Sequence, residues 1–145
     1  MPMIDVYATQ GTFADAKALA QKLATTLMAI ERVPAIPMFA NNTAAFVHDL
    51  ADGQLSNVAG DANYVRVQVL TNAAALDREQ QQAVVAQFTD IVAEHAGDDG
   101  LKRRTWVLLT EAVEGGWGLW GTAHTNAELV EAAKAEIAAL QSGQA

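Results

Sequence analysis

The sequence predicts an α/β fold of the α+β kind. Two βαβ repeats form a four-stranded sheet with two helices on one face, and a C-terminal helix follows. Three observations carry that prediction. A strand-like run, an amphipathic helix and a second strand follow one another, and the same order then recurs. The two passages can be laid on each other residue by residue. The segment after the second passage has its own capping signature and helical spacing.

The first strand is MIDVYA, whose residues alternate. Phe13, Ala16, Leu19, Ala20, Leu23, Leu27 and Ile30 then recur at helical spacing, with Thr12 in position to cap that helix. Pro34 and Pro37 in ERVPAIP stop it, because proline denies helical continuation. TAAFVHDL reads as the second strand and ADGQLSNVAG as a turn-rich connection. NYVRVQVL is the third strand. Asp77 then caps a helix with Val84, Val85, Phe88, Ile91 and Val92 on its apolar face, and DDG breaks it. RTWVLLTEA is the fourth strand, and VEGGWGLWG reads as a hairpin or loop. Thr125 and Glu128 form a capping box for a last helix that turns Leu129, Ala133, Ile137 and Leu140 inward. SGQA is a frayed end.

Laying Ile4 on Val65 also lays Val6 on Val67, Leu23 on Val84, Leu27 on Phe88 and Ile30 on Ile91. An offset one residue longer lays Phe46 on Leu108, Val47 on Leu109, Asp49 on Glu111 and Gly53 on Gly115. The chain therefore reads as one domain over 1–145, with repeat units at about 2–60 and 63–121 and the last helix at about 125–141. Each crossover makes a parallel strand pair with its helix on one face. The other sheet face needs a cover, and self-association is the expected one.

Composition narrows the function classes. The net charge of −8 disfavours nucleic acid as a partner. Cysteine is absent, which excludes disulfides, thiolate catalysis and cysteine metal sites. Three scattered histidines give no metal-ligand spacing, and the glycines near 115–121 lack the lysine of a phosphate loop. No apolar run reaches membrane-span length and no signal peptide opens the chain, so a cytoplasmic protein with no membrane partner is expected.

The opening Met-Pro, the strand–helix–strand order, the twofold repetition and the segment VLLTEAVEGGWGLWG resemble the tautomerase superfamily. The likeness is to 4-oxalocrotonate tautomerase and the cis-3-chloroacrylic acid dehalogenases, and it spans roughly residues 2–121. It implies a tautomerase-like fold, a homotrimer, no cofactor and no metal. It also implies a catalytic Pro2 whose nitrogen is freed by removal of Met1. A prolyl nitrogen is a secondary amine. Burial would lower its affinity for a proton from that of an ordinary α-amine, near ~8, toward the range where a base works best at neutral pH. Asn63 matches Pro2 in the second unit, so such a site occurs once per chain.

Trp117 matches the aromatic residue that lines the family's pocket. The family's substrate-binding arginines are replaced. The matching positions are Thr12, about Ala75, Ala44 and Trp106 for the tautomerase, and about Thr71, Ala74 and Ala29 for the two arginines and the histidine of the dehalogenases. Arg66, opposite Val65, Val67 and Val69 by alternation, is a candidate replacement, and Thr12 a candidate substrate contact. Glu111 and Glu114 could polarise a water, as acidic residues do in the dehalogenase branch. His48 and Asp49 are neighbours on a strand and face opposite ways, so His48 is expected to be hydrogen-bonded at an interface instead. Trp106, Trp120, Arg103 and Arg104 are expected as packing tryptophans and solvent-facing arginines. The expected activity is tautomerase chemistry on a small α-keto or enol acid. Hydratase, dehalogenase or decarboxylase chemistry on the same proline, and a non-catalytic trimer, remain as alternatives.

Overall fold

The structure is a computed structural model that describes residues 1–143. The frayed end expected after Leu140 falls partly on 144–145, outside the described residues. Strands β1 (Met3–Thr9), β2 (Ala44–Leu50), β3 (Val65–Thr71) and β4 (Thr105–Glu111) form one sheet in the order β2-β1-β3-β4. β1 runs parallel to β2, β3 runs parallel to β4, and the central pair β1/β3 is antiparallel. Helix α1 (Ala16–Glu31) crosses from β1 to β2, and helix α3 (Arg78–Ala96) from β3 to β4.

Alternation decides which residues face the helices. Ile4, Val6, Ala8, Val65, Val67 and Val69 are buried against Leu19, Leu23, Leu27, Val84, Phe88 and Val92. The ladders pair Val6 with Val47 and with Val67, and Val67 with Val107. With Val6 matched to Val67, the counterpart of Val47 is therefore Val107 and not Leu109. A slip of two residues leaves every side chain on its own face, so alternation cannot detect it. The helices slip likewise by one turn. The fully buried triplet Leu19, Leu23, Leu27 answers to Val84, Phe88, Val92, and both helices end in left-handed caps at Arg32 and Gly97.

Local chemistry sets the element ends. Asp15, not Thr12, caps α1, accepting from the Ala18 N–H at 3.0 Å. Thr12 lies too far upstream and instead donates to the Thr9 carbonyl at 2.6 Å. Asp77 and Gln80 make a capping box on α3, and Gly97 ends it ahead of Asp98–Gly100, which enter a 3₁₀ turn (Asp99–Arg103). Pro37, read as a stop, opens the short helix α2 (Pro37–Asn41), where its missing N–H costs nothing. Val85 and Leu140 are exposed rather than inward, because each sits on the flank of its helix's apolar stripe.

Beyond β4, β5 (Trp117–Leu119) and β6 (Thr122–His124) form a hairpin whose turn residues Trp120 and Gly121 both have positive φ. Trp120 thus points outward, 64% exposed, and is not the packing residue expected. Arg104 is likewise not free in solvent. It pairs with Asp98 at 2.5 Å and donates to the Asn63 carbonyl. Helix α4 (Asn126–Gln141) starts from the Thr125–Glu128 capping box. Hydrogen bonds to the segment after β3 and to α2 tie it down. Asn126 Nδ2 donates to the Ala73 carbonyl at 2.9 Å, and the Met38 N–H donates to Glu136 Oε2 at 2.9 Å. With α2 and the hairpin it builds a second apolar cluster of Met1, Ile36, Met38, Trp117, Leu129 and Ala133.

The sheet face away from α1 and α3 is uncovered. Three cross-strand rows occupy it: Ala44, Met3, Leu70, Thr110; Phe46, Asp5, Gln68, Leu108; and His48, Tyr7, Arg66, Trp106. Phe46 and Leu108 are 50% and 45% exposed. Among the described residues, no helix is long and apolar enough to cross a membrane.

Candidate active site

Pro2 stands at the head of β1, fully buried, and its carbonyl accepts from the Ala44 N–H at 3.2 Å. That bond pins the start of β1 to β2 and directs Met1 into the second cluster. Met1 is itself buried, packed in one cluster with Trp117, Leu129 and Ala133. Pro2 and Trp117 are thus brought to the same end of the molecule, one by a strand start and the other by the hairpin.

A cavity of about 390 Å³ opens beside Met1. Its walls come from the end of α1 (Glu31), the segment after β3 (Asn72, Ala74, Ala75) and α4 (Leu129, Ala133). The positions that match family arginines, about Ala74 and Ala75, therefore do line the cavity, but with methyl groups. Ala74 holds φ at 57°, a left-handed value uncommon outside glycine.

Two polar side chains reach this region without partners. The Glu31 side chain is 6% exposed, and its Oε1 accepts no hydrogen bond among the described residues. Asn72 Nδ2 is buried and likewise donates to nothing among them. Glu31 Oε1 lies 4.0 Å from the Met1 amino nitrogen. Burial pushes the amino group's pKa down from its ordinary 8.0, and the carboxylate opposes that shift. Burial also raises the Glu31 pKa from its ordinary 4.5, against the pull of the amino group. Desolvation leads in both, so each group is driven toward its neutral form.

Sequence reasoning missed Glu31 and Asn72. Glu31 ends a helix and looks like an ordinary polar terminus. A signal was available in its place just before the Pro34–Pro37 stop, whose segment lines the same cavity through Val33, Pro34 and Phe39.

The remaining candidates lie elsewhere. Thr12 is beyond the far end of β1. Arg66 is on the outer sheet face, donating to Gln68 Oε1 at 2.9 Å with its guanidinium 5.6 Å from the Tyr7 ring centre. His48 is hydrogen-bonded, but to Asp5, at 2.7 Å, and it stacks on Tyr7. Trp106 stacks on Tyr64 on the same face. Glu111 is exposed on β4, and Glu114 accepts from the Asn126 N–H at 2.6 Å. Among the described residues, no three His, Asp or Glu side chains stand close enough to share a metal ion.

No protein-family model and no curated protein matches the chain. Solved structures do. A member of the cis-3-chloroacrylic acid dehalogenase family superposes with a TM-score of 0.69 at 18% identity, over 89% of each chain. A fused 4-OT, a symmetric trimer, superposes with a TM-score of 0.69 at 18% identity, over 88% of this chain and 98% of that one. Malonate semialdehyde decarboxylase gives 0.61 at 17% identity, over 81% and 89%. At these identities the likeness is one of fold, and the chain has the tautomerase superfamily fold.

Proposed function

We propose that this protein is a cofactor-independent tautomerase whose base is the nitrogen of Pro2, freed when Met1 is removed. The observation that carries this reading is the setting of Pro2. It is fully buried at a strand head, and Met1, the residue that would leave it, lines a cavity of small-molecule size and belongs to the cluster that holds Trp117. In such surroundings the ammonium form is disfavoured, and a neutral secondary amine is a competent base near neutral pH. The lone pair on the Pro2 nitrogen takes a proton from the carbon beside the substrate's carbonyl. The electrons of that C–H bond form the carbon–carbon double bond, and the carbonyl oxygen becomes an enolate. The prolyl ammonium then gives its proton to that oxygen, and the reverse sequence turns enol into ketone. Trp117, packed in one cluster with Met1, borders the space that Met1 would leave and helps to keep water from it.

The substrate in this reading is a small α-keto or enol compound. Thr12 and Arg66 lie at the far end of β1, so they reach a substrate at Pro2 only from another copy of the chain. A homotrimer assembled through the outer sheet face, with Phe46 and Leu108 at its contact, belongs to the same reading. So does a cytoplasmic location.

The test is enol–ketone conversion of phenylpyruvate and of its methyl ester, followed in wild type and Pro2→Ala, with intact mass confirming loss of Met1. Wild type should exceed Pro2→Ala by about 10²–10⁴-fold on the faster compound. Equal rates would remove the base role. The unpartnered Glu31 Oε1 favours a second reading, in which that carboxylate activates water for a hydratase, dehalogenase or decarboxylase reaction on the same proline. Uptake of labelled solvent oxygen into the product separates the two.

A further inference from the structure

We propose that the substrate of this site carries no carboxylate: it is an uncharged, enolisable carbonyl compound with a compact apolar tail, and Glu31 with Asn72 set that preference. The substrate class rests on the Pro2 reading above. The pair itself is a feature of the fold.

The polar inventory of the cavity is the first ground. A bound carboxylate needs a cation or several donors to replace the water it loses. Among the described residues no arginine lines the cavity, and Lys134 is the only cationic side chain that does. The Lys134 side chain is 68% exposed and its Nζ is already 3.1 Å from Glu131. The polar group sunk deepest is instead an acid. Ionised, Glu31 repels a second carboxylate at close range; protonated, it brings no positive charge. Both states leave an anion uncompensated.

The two stranded atoms are the second ground. Asn72 Nδ2 is a donor without an acceptor and Glu31 Oε1 an acceptor without a donor. Buried polar atoms are nearly always paired, so two at one cavity point to a ligand that supplies the complements. A carbonyl oxygen suits Asn72 Nδ2, and that bond strengthens as the oxygen gains charge on enolisation. Glu31 faces the terminal nitrogen: its Oε1 is 4.0 Å from the Met1 amine, which is three bonds from the Pro2 nitrogen. It is therefore placed to stabilise the prolyl ammonium that exists only after proton abstraction. The net charge of −8 adds a long-range field that turns anions away.

The space vacated by Met1 is the third ground. Its side chain is buried among Ile36, Met38, Trp117, Leu129 and Ala133, all apolar. Cleavage empties a methionine-sized apolar slot that adjoins the cavity and takes the tail.

Phenylpyruvate and its methyl ester differ by the one charge at issue. Calorimetric titration of the full-length, Met1-cleaved protein measures binding of each, whether or not turnover follows. The ester should bind at least about tenfold more tightly than the acid. Glu31→Gln should shrink that ratio to less than about threefold by improving the acid, and Asn72→Ala should weaken both. Equal or tighter binding of the acid, a ratio unmoved by Glu31→Gln, or binding of neither compound overturns the proposal. The comparison is repeated in Pro2→Ala, where the same preference should persist. Loss of Pro2 dependence in the rate assay with the ester preference intact would defeat the base reading alone. Pro2-dependent turnover with the acid preferred would defeat this proposal alone.

Discussion

Between the sheet and helices α1 and α3, valines and leucines fill the space, and among the described residues the stranded side-chain polar atom on that side is Thr43 Oγ1, at the margin beside β2. Around Met1, Trp117 and α4, the cluster is smaller and borders a cavity, and Glu31 and Asn72 reach the same region with atoms left unpaired. One chain thus builds one core to hold the fold and a second that tolerates unfavourable groups. In the proposed reading, stability is concentrated where nothing reacts, and the cost of unpaired polar atoms is accepted where a ligand would offset it. The two regions can be told apart by which measurement each mutation moves.

The largest effects should fall cleanly on one side or the other. Phe88→Ala removes a fully buried ring from the first core and should lower the unfolding free energy by about 3–5 kcal/mol in urea titrations. Any folded Phe88→Ala protein should keep its turnover. Pro2→Ala should do the reverse, losing about 10²–10⁴-fold in rate with its melting temperature little changed. A Pro2→Ala protein that melts as early as Phe88→Ala would erase the distinction.

Intermediate effects should appear at the boundary. Leu129→Ala in the second cluster should cost about 2 kcal/mol, less than Phe88→Ala because a cavity already adjoins it. Leu129→Ala should also weaken substrate binding, which Phe88→Ala should not. On the outer sheet face, Phe46→Asp with Leu108→Asp should shift the mass seen by light scattering from oligomer to monomer, since charge replaces the exposed apolar pair. An unchanged mass would move the association surface elsewhere.

The smallest effect has an unusual sign. Glu31→Gln should stabilise the protein at neutral pH by about 1 kcal/mol, because it removes a buried carboxylate without a hydrogen-bond partner. The raised pKa of Glu31 means that its contribution is fully present below 4.5 and is lost as pH rises through the folded value. Wild-type stability should therefore sag above pH 4.5, and Glu31→Gln should flatten the sag. In protein that keeps Met1, the amino group with its lowered pKa acts oppositely, adding stability as pH rises toward 8.0. Melting curves across pH on both forms separate the two groups.

Much of the fold was legible because its determinants are local. Alternation in MIDVYA and NYVRVQVL, the Asp77–Gln80 and Thr125–Glu128 capping boxes, and the glycines of the hairpin each act within a few residues. The errors share a cause as well. Laying Val47 on Leu109 kept its face but lost its ladder partner. Val85 and Leu140 satisfied helical spacing but sit at the edge of the stripe. Thr12 is a good capping residue standing too far from the helix it was meant to cap. Periodicity reports facing and says nothing of neighbours.

The site was legible only in part, for the same reason. Pro2 and Trp117 could be marked from resemblance alone, yet their meeting depends on β1 starting where the hairpin and α4 pack. Arg66 has suitable chemistry and lies on the outer sheet face, away from the Met1 cavity of its own chain. Glu31 has no motif around it. It became a site residue because Pro34 and Pro37 turn the chain into α2, α2 is held to α4 through Glu136, and the carboxylate is closed in beside the terminal amine.

The sequence by itself determined the strands, the helices, their caps and the two crossovers, because each rests on spacing and turn chemistry that a short window contains. Only the tertiary structure decided the ladder register, the exposed face and the company Pro2 keeps. Those depend on desolvation and contact between segments far apart in the chain, and burial acquires a value only when the whole molecule closes.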